Sequence, residues 1–192
     1  MTEHPCPSMA VPPERQAEDG DAMREDRRPG RAGVAPPAAT PHLVGGHLYA
    51  ERNGTVLLGL RGPAVAFGAE EWHVPAGHVE QESARACVVR ETGEETGMVV
   101  AEEDLALVHT VHLLQAPDAV PRVQLFFRAD RWRGEPRLLE PDRCSAWQWW
   151  PLHALPEATV PYTRAAIDGI ARGRAYTELG WDHRPSGRGG TR

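Results

Sequence analysis

The sequence predicts an α+β fold. Several short runs rich in β-branched and aromatic residues are punctuated by Gly, Asn and Pro, the mark of strands joined by turns. Two longer stretches, residues 83–97 and 161–174, carry helix start and stop signals instead. Strand and helix signals interleave along the chain, which gives an α+β or mixed α/β layout.

Residues 1–40 are dominated by Pro, Ala, Gly and mixed charge, with almost no large apolar side chains. Such a segment cannot bury enough surface to offset its ordering entropy, so it is expected to be a disordered tail. From residue 42 onward HLVGGHLYAERNGTVLLGLRG reads as two strands joined by a tight turn, because Asn53-Gly54 is a strong hairpin signal. A loop over 62–71 follows, then a short strand around Trp72-His73-Val74. Ser83 is a plausible N-cap and Gly97 stands where a left-handed residue would close the helix. Two β-rich runs, 105–115 and 122–132, are split by a Pro-containing turn, and a tryptophan-rich strand covers 146–151. Pro161 is tolerated in the first turn of the closing helix. Residues 181–192 are polar and Gly-rich and read as a flexible C-terminal tail.

Composition narrows the function. With 192 residues the chain is long enough for one good-sized core. A formal charge of −6 argues against a duplex nucleic-acid partner. No lysine occurs; all 21 basic residues are arginines, so any phosphate held by a side-chain cation is held by Arg, whose fork suits bidentate contact. Cys6, Cys87 and Cys144 are widely separated and read as reduced thiols of a cytoplasmic protein. No apolar run approaches a membrane span, no membrane partner is expected, and no signal peptide is visible.

The most informative stretch is GHVEQESARACVVRETGEETGM, residues 77–98. It places Glu91, Glu94 and Glu95 at i, i+3 and i+4, within one sector of a helix surface. Like charges this close repel, so gathering them does not serve helix stability. A hard divalent cation reverses that cost, since carboxylate oxygens are the ligands Mg²⁺ prefers. A solvated acidic face is the competing reading. Val74-Pro75-Ala76-Gly77 reads as a strand end breaking into a loop that folds back on the helix, a layout that brings a loop carbonyl near the carboxylates.

This stretch resembles the Nudix box: a glycine, five residues, a glutamate, seven residues, then Arg-Glu-aliphatic-x-Glu-Glu-x-Gly-aliphatic. Gly77, Glu82, Arg90, Glu91, Glu94, Glu95, Gly97 and Met98 take the matching places. The match departs in two respects: only four residues separate Gly77 from Glu82, and Thr92 stands at the aliphatic position. The resemblance implies the Nudix fold, a mixed β-sheet sandwiched between α-helices, over residues 42–175. It also implies Mg²⁺, with Mn²⁺ as a substitute, held by Glu91, Glu94, Glu95 and the Gly77 carbonyl, and it allows a homodimer. Arg90 is expected to pair with Glu82 and pin loop to helix, an ordinary surface salt bridge being the alternative.

The resemblance extends further, toward members that cleave nucleoside triphosphates. Glu140 matches a glutamate that completes the metal site across the cleft in those relatives, with Glu135 as its competitor and a plain loop carboxylate as the alternative reading. Arg61, at the end of a strand, matches an arginine that contacts substrate phosphates, against a strand-end surface charge. Phe67, Trp72, Trp147 and Trp149 are available to stack on a base, with Trp72 chosen as the substrate contact, although aromatics are more often core. His73, His78, His109 and His112 lack metal-ligand spacing and read as ordinary polar residues. The expected function is Mg²⁺-dependent hydrolysis of a phosphoanhydride bond in a nucleoside diphosphate derivative, foremost a nucleoside triphosphate. The alternatives are a non-catalytic nucleotide sensor on the same fold, or a hydrolase of ADP-ribose or a nucleotide sugar.

Overall fold

The computed structural model describes residues 39–182. The tail expected over 1–40 lies almost wholly outside the described residues, as does the stretch from 183 onward.

A five-stranded mixed sheet forms the centre, in the order β5 (Ala76–His78), β1 (Leu43–Tyr49), β7 (Arg122–Ala129), β6 (Leu105–Leu113), β9 (Tyr176–Leu179). β1 and β7 run parallel, β6 and β7 antiparallel. A second sheet is built on β3 (Thr55–Arg61), which pairs with β2 (Glu51–Arg52), β4 (Trp72–His73) and β8 (Cys144–Pro151). Two α-helices complete the fold, α1 (Ala84–Thr96) and α2 (Pro161–Ala171).

Side-chain alternation assigns the two faces of the central sheet. Tyr49 and Phe126 point to one face and join Val111, Ala166 and Ile167 of the α2 layer. Their neighbours Leu48 and Phe127 point to the other and pack with Val88 and Met98 from α1 and its C-terminal turn. The same period in β8 sends Trp150 to the first cluster and Trp147 and Trp149 to the second. Among the described residues no helix is long and apolar enough to cross a membrane.

Three sequence expectations are corrected. The Asn53-Gly54 turn has both residues at positive φ (51° and 73°), but it joins β2 to β3, not β1 to β3. The chain leaves the central sheet after Tyr49, and β1 pairs with β5 and β7 instead. Secondly, the central sheet continues past residue 175: β9 adds a parallel strand to β6, and the buried His109 of β6 bonds the Arg174 carbonyl (2.8 Å) and the Thr177 hydroxyl (3.1 Å). Thirdly, Trp181 is not loose, for its indole N–H donates to the His112 carbonyl at 3.0 Å and its ring lies 4.2 Å from that of His112.

Candidate active site

The site begins with the placement of α1. Ser83 caps it, accepting from the Ala86 amide at 3.0 Å, and Gly97 ends it in the left-handed conformation with φ 71°. Cys87, Val88, Thr92 and Thr96 are buried, and Glu91 and Glu95 project on the same side of the helix as Cys87 and Val88, toward β5. Glu91 lies directly against β5. A Cβ at Gly77 would fall 1.9 Å from the Glu91 carboxyl carbon, so any larger residue there would expel the carboxylate. Glu95 accepts from the Ala76 amide at 3.1 Å. Two of the three helical glutamates are thus held against one short strand.

Arg90 ties this arrangement to the preceding loop. Its Nη2 donates to Glu82 at 2.6 Å and its Nη1 to Glu91 at 2.7 Å and Glu94 at 3.2 Å. The shortened loop is closed by the same guanidinium, which reaches the His78 carbonyl at 3.4 Å, and by the Cys87 thiol, 3.3 Å from that oxygen. Burial pushes the Cys87 thiol up to about 11, so it stays neutral and serves as a small packed donor.

The electrostatics show where charge is uncompensated. Burial pushes the Glu95 carboxyl up to about 8; the Ala76 amide opposes this, and the charges of Glu91 and Glu140 add to it. A buried carboxylate beside two others favours a cation, and the donors are all oxygens, so the set fits a hard divalent ion such as Mg²⁺. As the side chains stand, no three acidic, His or Cys groups among the described residues converge on one point, because Arg90 holds Glu91 and Glu94.

The carboxylates open into a cleft of about 470 Å³. Arg61, Arg90, Arg122 and Arg143 line it together with Glu91 and Glu94, which sets guanidinium groups beside the acidic end. Its walls also include Gly45, His47, His73, Gln124 and the aromatic pair Phe67 and Tyr162. The rings of that pair are nearly parallel, 14° apart, with centroids separated by 6.2 Å. His73 donates from Nδ1 to the Val74 carbonyl at 2.5 Å, and its Nε2 accepts from the Tyr162 hydroxyl at 2.8 Å. Burial and nearby positive charge hold His73 well below the ordinary histidine range, so it is neutral.

Set against the expected site residues, this geometry agrees in some places and departs in others. Glu82, Arg90, Glu91, Glu94 and Glu95 come together as described. Glu140 lies close enough to Glu95 to raise its carboxyl, whereas Glu135 is paired with Arg52 at 2.8 Å on another face beside Trp149. Arg61 lines the cleft but spends its Nε on the Phe67 carbonyl at 2.8 Å. Gly77 is displaced as the loop ligand. Bonds from Leu48 N to Pro75 O and from Val79 N to Val44 O put Gly46 and Gly77 in a hydrogen-bonded pair. The Gly77 carbonyl therefore faces β1, while that of Ala76, whose amide meets Glu95, is on the carboxylate side. Trp72 is not a cleft residue; its ring packs edge-on to Trp150 at 5.2 Å in the α2-side core. Tyr162, His47 and Gln124 were absent from the expected set, and no local pattern marks them.

Residues 41–168 match the NUDIX domain family. The chain is 32% identical to the MutT NUDIX hydrolase from Burkholderia pseudomallei, over 67% of this chain and 97% of that one, with a TM-score of 0.61. At 22% identity the MutT protein from Methanosarcina mazei shares the fold, with a TM-score of 0.58 over 70% of this chain and 96% of that one. The NUDIX domain of Shewanella oneidensis NrtR, solved with ADP ribose, is 21% identical and shares the fold with a TM-score of 0.54, over 73% and 93% of the chains. The fold and the glutamate-bearing helix define the class, and the chain belongs to the Nudix family. Within it, the chain is a Nudix pyrophosphohydrolase, an enzyme acting on nucleotide derivatives.

Proposed function

We propose that this enzyme hydrolyses a nucleoside triphosphate to the monophosphate and pyrophosphate in a Mg²⁺-dependent reaction, with Mn²⁺ able to substitute. The observation that carries this reading is one cleft lined by Glu91 and Glu94, by four arginines, and by the aromatic pair Phe67 and Tyr162. Its lining matches a ligand that combines an anionic part with a planar apolar part.

In this reading Glu91, Glu94 and Glu95, with the Ala76 carbonyl and Glu140, hold the metal. When bound, the ion neutralises phosphoryl oxygens and lowers the pKa of its water. Water oxygen bonds to phosphorus, the phosphoanhydride P–O bond breaks with its electron pair on the leaving oxygen, and a carboxylate of the cluster takes the proton. Arg61, Arg122 and Arg143 bind phosphate oxygens, the fork of each suiting two contacts at once. Arg90 keeps α1 and the loop in register through Glu82. Retention of all three helical glutamates favours catalysis over nucleotide sensing.

The test is a panel of nucleoside triphosphates, ADP-ribose and nucleotide sugars incubated with purified protein and Mg²⁺. Pyrophosphate release from triphosphates is expected. Turnover confined to ADP-ribose or a nucleotide sugar would replace the substrate, and turnover of nothing would favour the sensor.

A further inference from the structure

The inner wall of the cleft carries a polar group that phosphoanhydride hydrolysis does not use. Gln124 on β7 is 3% exposed and stands opposite Gly45 on β1. Its side chain lies across β1 because residue 45 has none: a Cβ there would fall 2.1 Å from Gln124 Oε1. The amide so placed meets His47 Nε2 at 2.8 Å. His47 is itself 3% exposed and stacked on Phe126 with centroids 4.6 Å apart. Removed from water and packed against the rings of Phe126, His73 and Tyr162, it is neutral and carries one N–H.

The position of that proton follows from the ring's other nitrogen. His47 Nδ1 is buried with no hydrogen-bond partner among the described residues. A lone pair left unpaired in the interior costs less than an N–H left unpaired there. The proton therefore belongs on Nε2, donated to Gln124 Oε1, and the Gln124 NH₂ is the end left over. Among the described residues that NH₂ makes no hydrogen bond, and the side chain lines the cleft. Turning the amide over would require the histidine proton to move to Nδ1, where nothing accepts it.

We propose that Gln124 is a specificity-determining residue whose NH₂, oriented by His47, donates to a carbonyl oxygen on the edge of the substrate's base. The inference rests on the nucleotide reading above and deepens it: the preferred substrates carry an oxo-substituted base, a 6-oxopurine or 4-oxopyrimidine, over the amino analogue. An exocyclic amino group at that place would set donor against donor. Phe67, 40% exposed and parallel to Tyr162, supplies stacking that does not distinguish bases.

Inosine and adenosine triphosphates make the direct comparison, because their bases differ only along the edge formed by N1 and the 6-position group. Wild-type kcat/KM is expected to favour inosine triphosphate by at least about 10-fold, the factor carried by one unmade buried hydrogen bond. Gln124→Met, near in size but without a donor, should bring the ratio within about 2-fold by lowering the inosine value. Phe67→Ala, at an exposed position, should lower both substrates and keep their ratio. Calorimetric binding of inosine and adenosine monophosphates reads the same edge without turnover. Pyrophosphate release from both triphosphates at a wild-type ratio near one, or a ratio that survives Gln124→Met, overturns the inference and leaves the proposed function standing. No release from either, with inosine monophosphate still bound more tightly, supports the role of Gln124 and overturns the triphosphate reading. Equal binding of the two monophosphates together with no release overturns both.

Discussion

Arg61 donates from Nε to the carbonyl oxygen of Phe67, 2.8 Å away, and its guanidinium carbon lies 5.9 Å from the centre of the Phe67 ring. One arginine thus props the aromatic wall of the cleft, and its two terminal nitrogens make no hydrogen bond among the described residues. Arg61→Ala is expected to cut kcat/KM for all nucleoside triphosphates by roughly 10- to 150-fold, the loss of a charged hydrogen bond worth about 1.5–3 kcal/mol. Arg61→Lys should recover part of this, since an ammonium cannot reproduce the fork. A reordering of the bases at unchanged mean efficiency would place Arg61 in base recognition alone.

The short loop between Gly77 and Glu82 is expected to be sufficient as it is. Arg90 already reaches Glu82 at 2.6 Å, and the Cys87 thiol already lies 3.3 Å from the His78 carbonyl. A glycine inserted between Gln81 and Glu82 adds chain entropy and slackens these contacts. Steady-state kinetics should show turnover unchanged or reduced and no tighter Mg²⁺ binding. A several-fold gain in activity would mean that the native loop misplaces the site.

Acid should destabilise the protein through its buried histidines. The His47 pKa falls from 6.5 unfolded to about 4 folded, and that of His73 is also held well below 6.5. Between the folded and unfolded values the unfolded chain binds more protons, so stability rises with pH in that window. The contribution is complete above about pH 6.5 and is lost as pH falls toward 4, the loss for His47 reaching about 2 kcal/mol by pH 5. Urea unfolding at pH 5 and 7.5 measures it, and His47→Phe should remove part of the difference.

Much of the molecule was legible in the chain itself, for local reasons. The caps Ser83 and Gly97 bound α1 because each satisfies backbone groups within a few residues of itself. The spacing of Glu91, Glu94 and Glu95 fixes their shared side because helical geometry is local too. The errors came from contacts between distant residues. Trp72 carries no local mark that separates a core ring from a stacking one; its partner Trp150 arrives on β8. Asn53-Gly54 announces a turn but not which strands it joins. Gly77 was read as a metal ligand, whereas its pairing with Gly46 and the approach of Glu91 give it another reason to be glycine. The His47–Gln124 bond spans 77 positions and leaves no pattern at either end.

Pyrophosphate release by wild type and Glu95→Gln, measured with one triphosphate at saturating Mg²⁺, tests the central claim most directly. Glu95 is held against the Ala76 amide, its carboxyl raised to about 8 by burial and the neighbouring charges of Glu91 and Glu140. The account predicts pyrophosphate as the wild-type product, turnover that disappears on chelation of the metal, and a loss of at least about 10²-fold in Glu95→Gln. The variant should remain folded, because the amide is close to the acid in size and brings no charge into the buried position. Near-normal turnover by a folded Glu95→Gln, or orthophosphate as the sole product, would contradict the account.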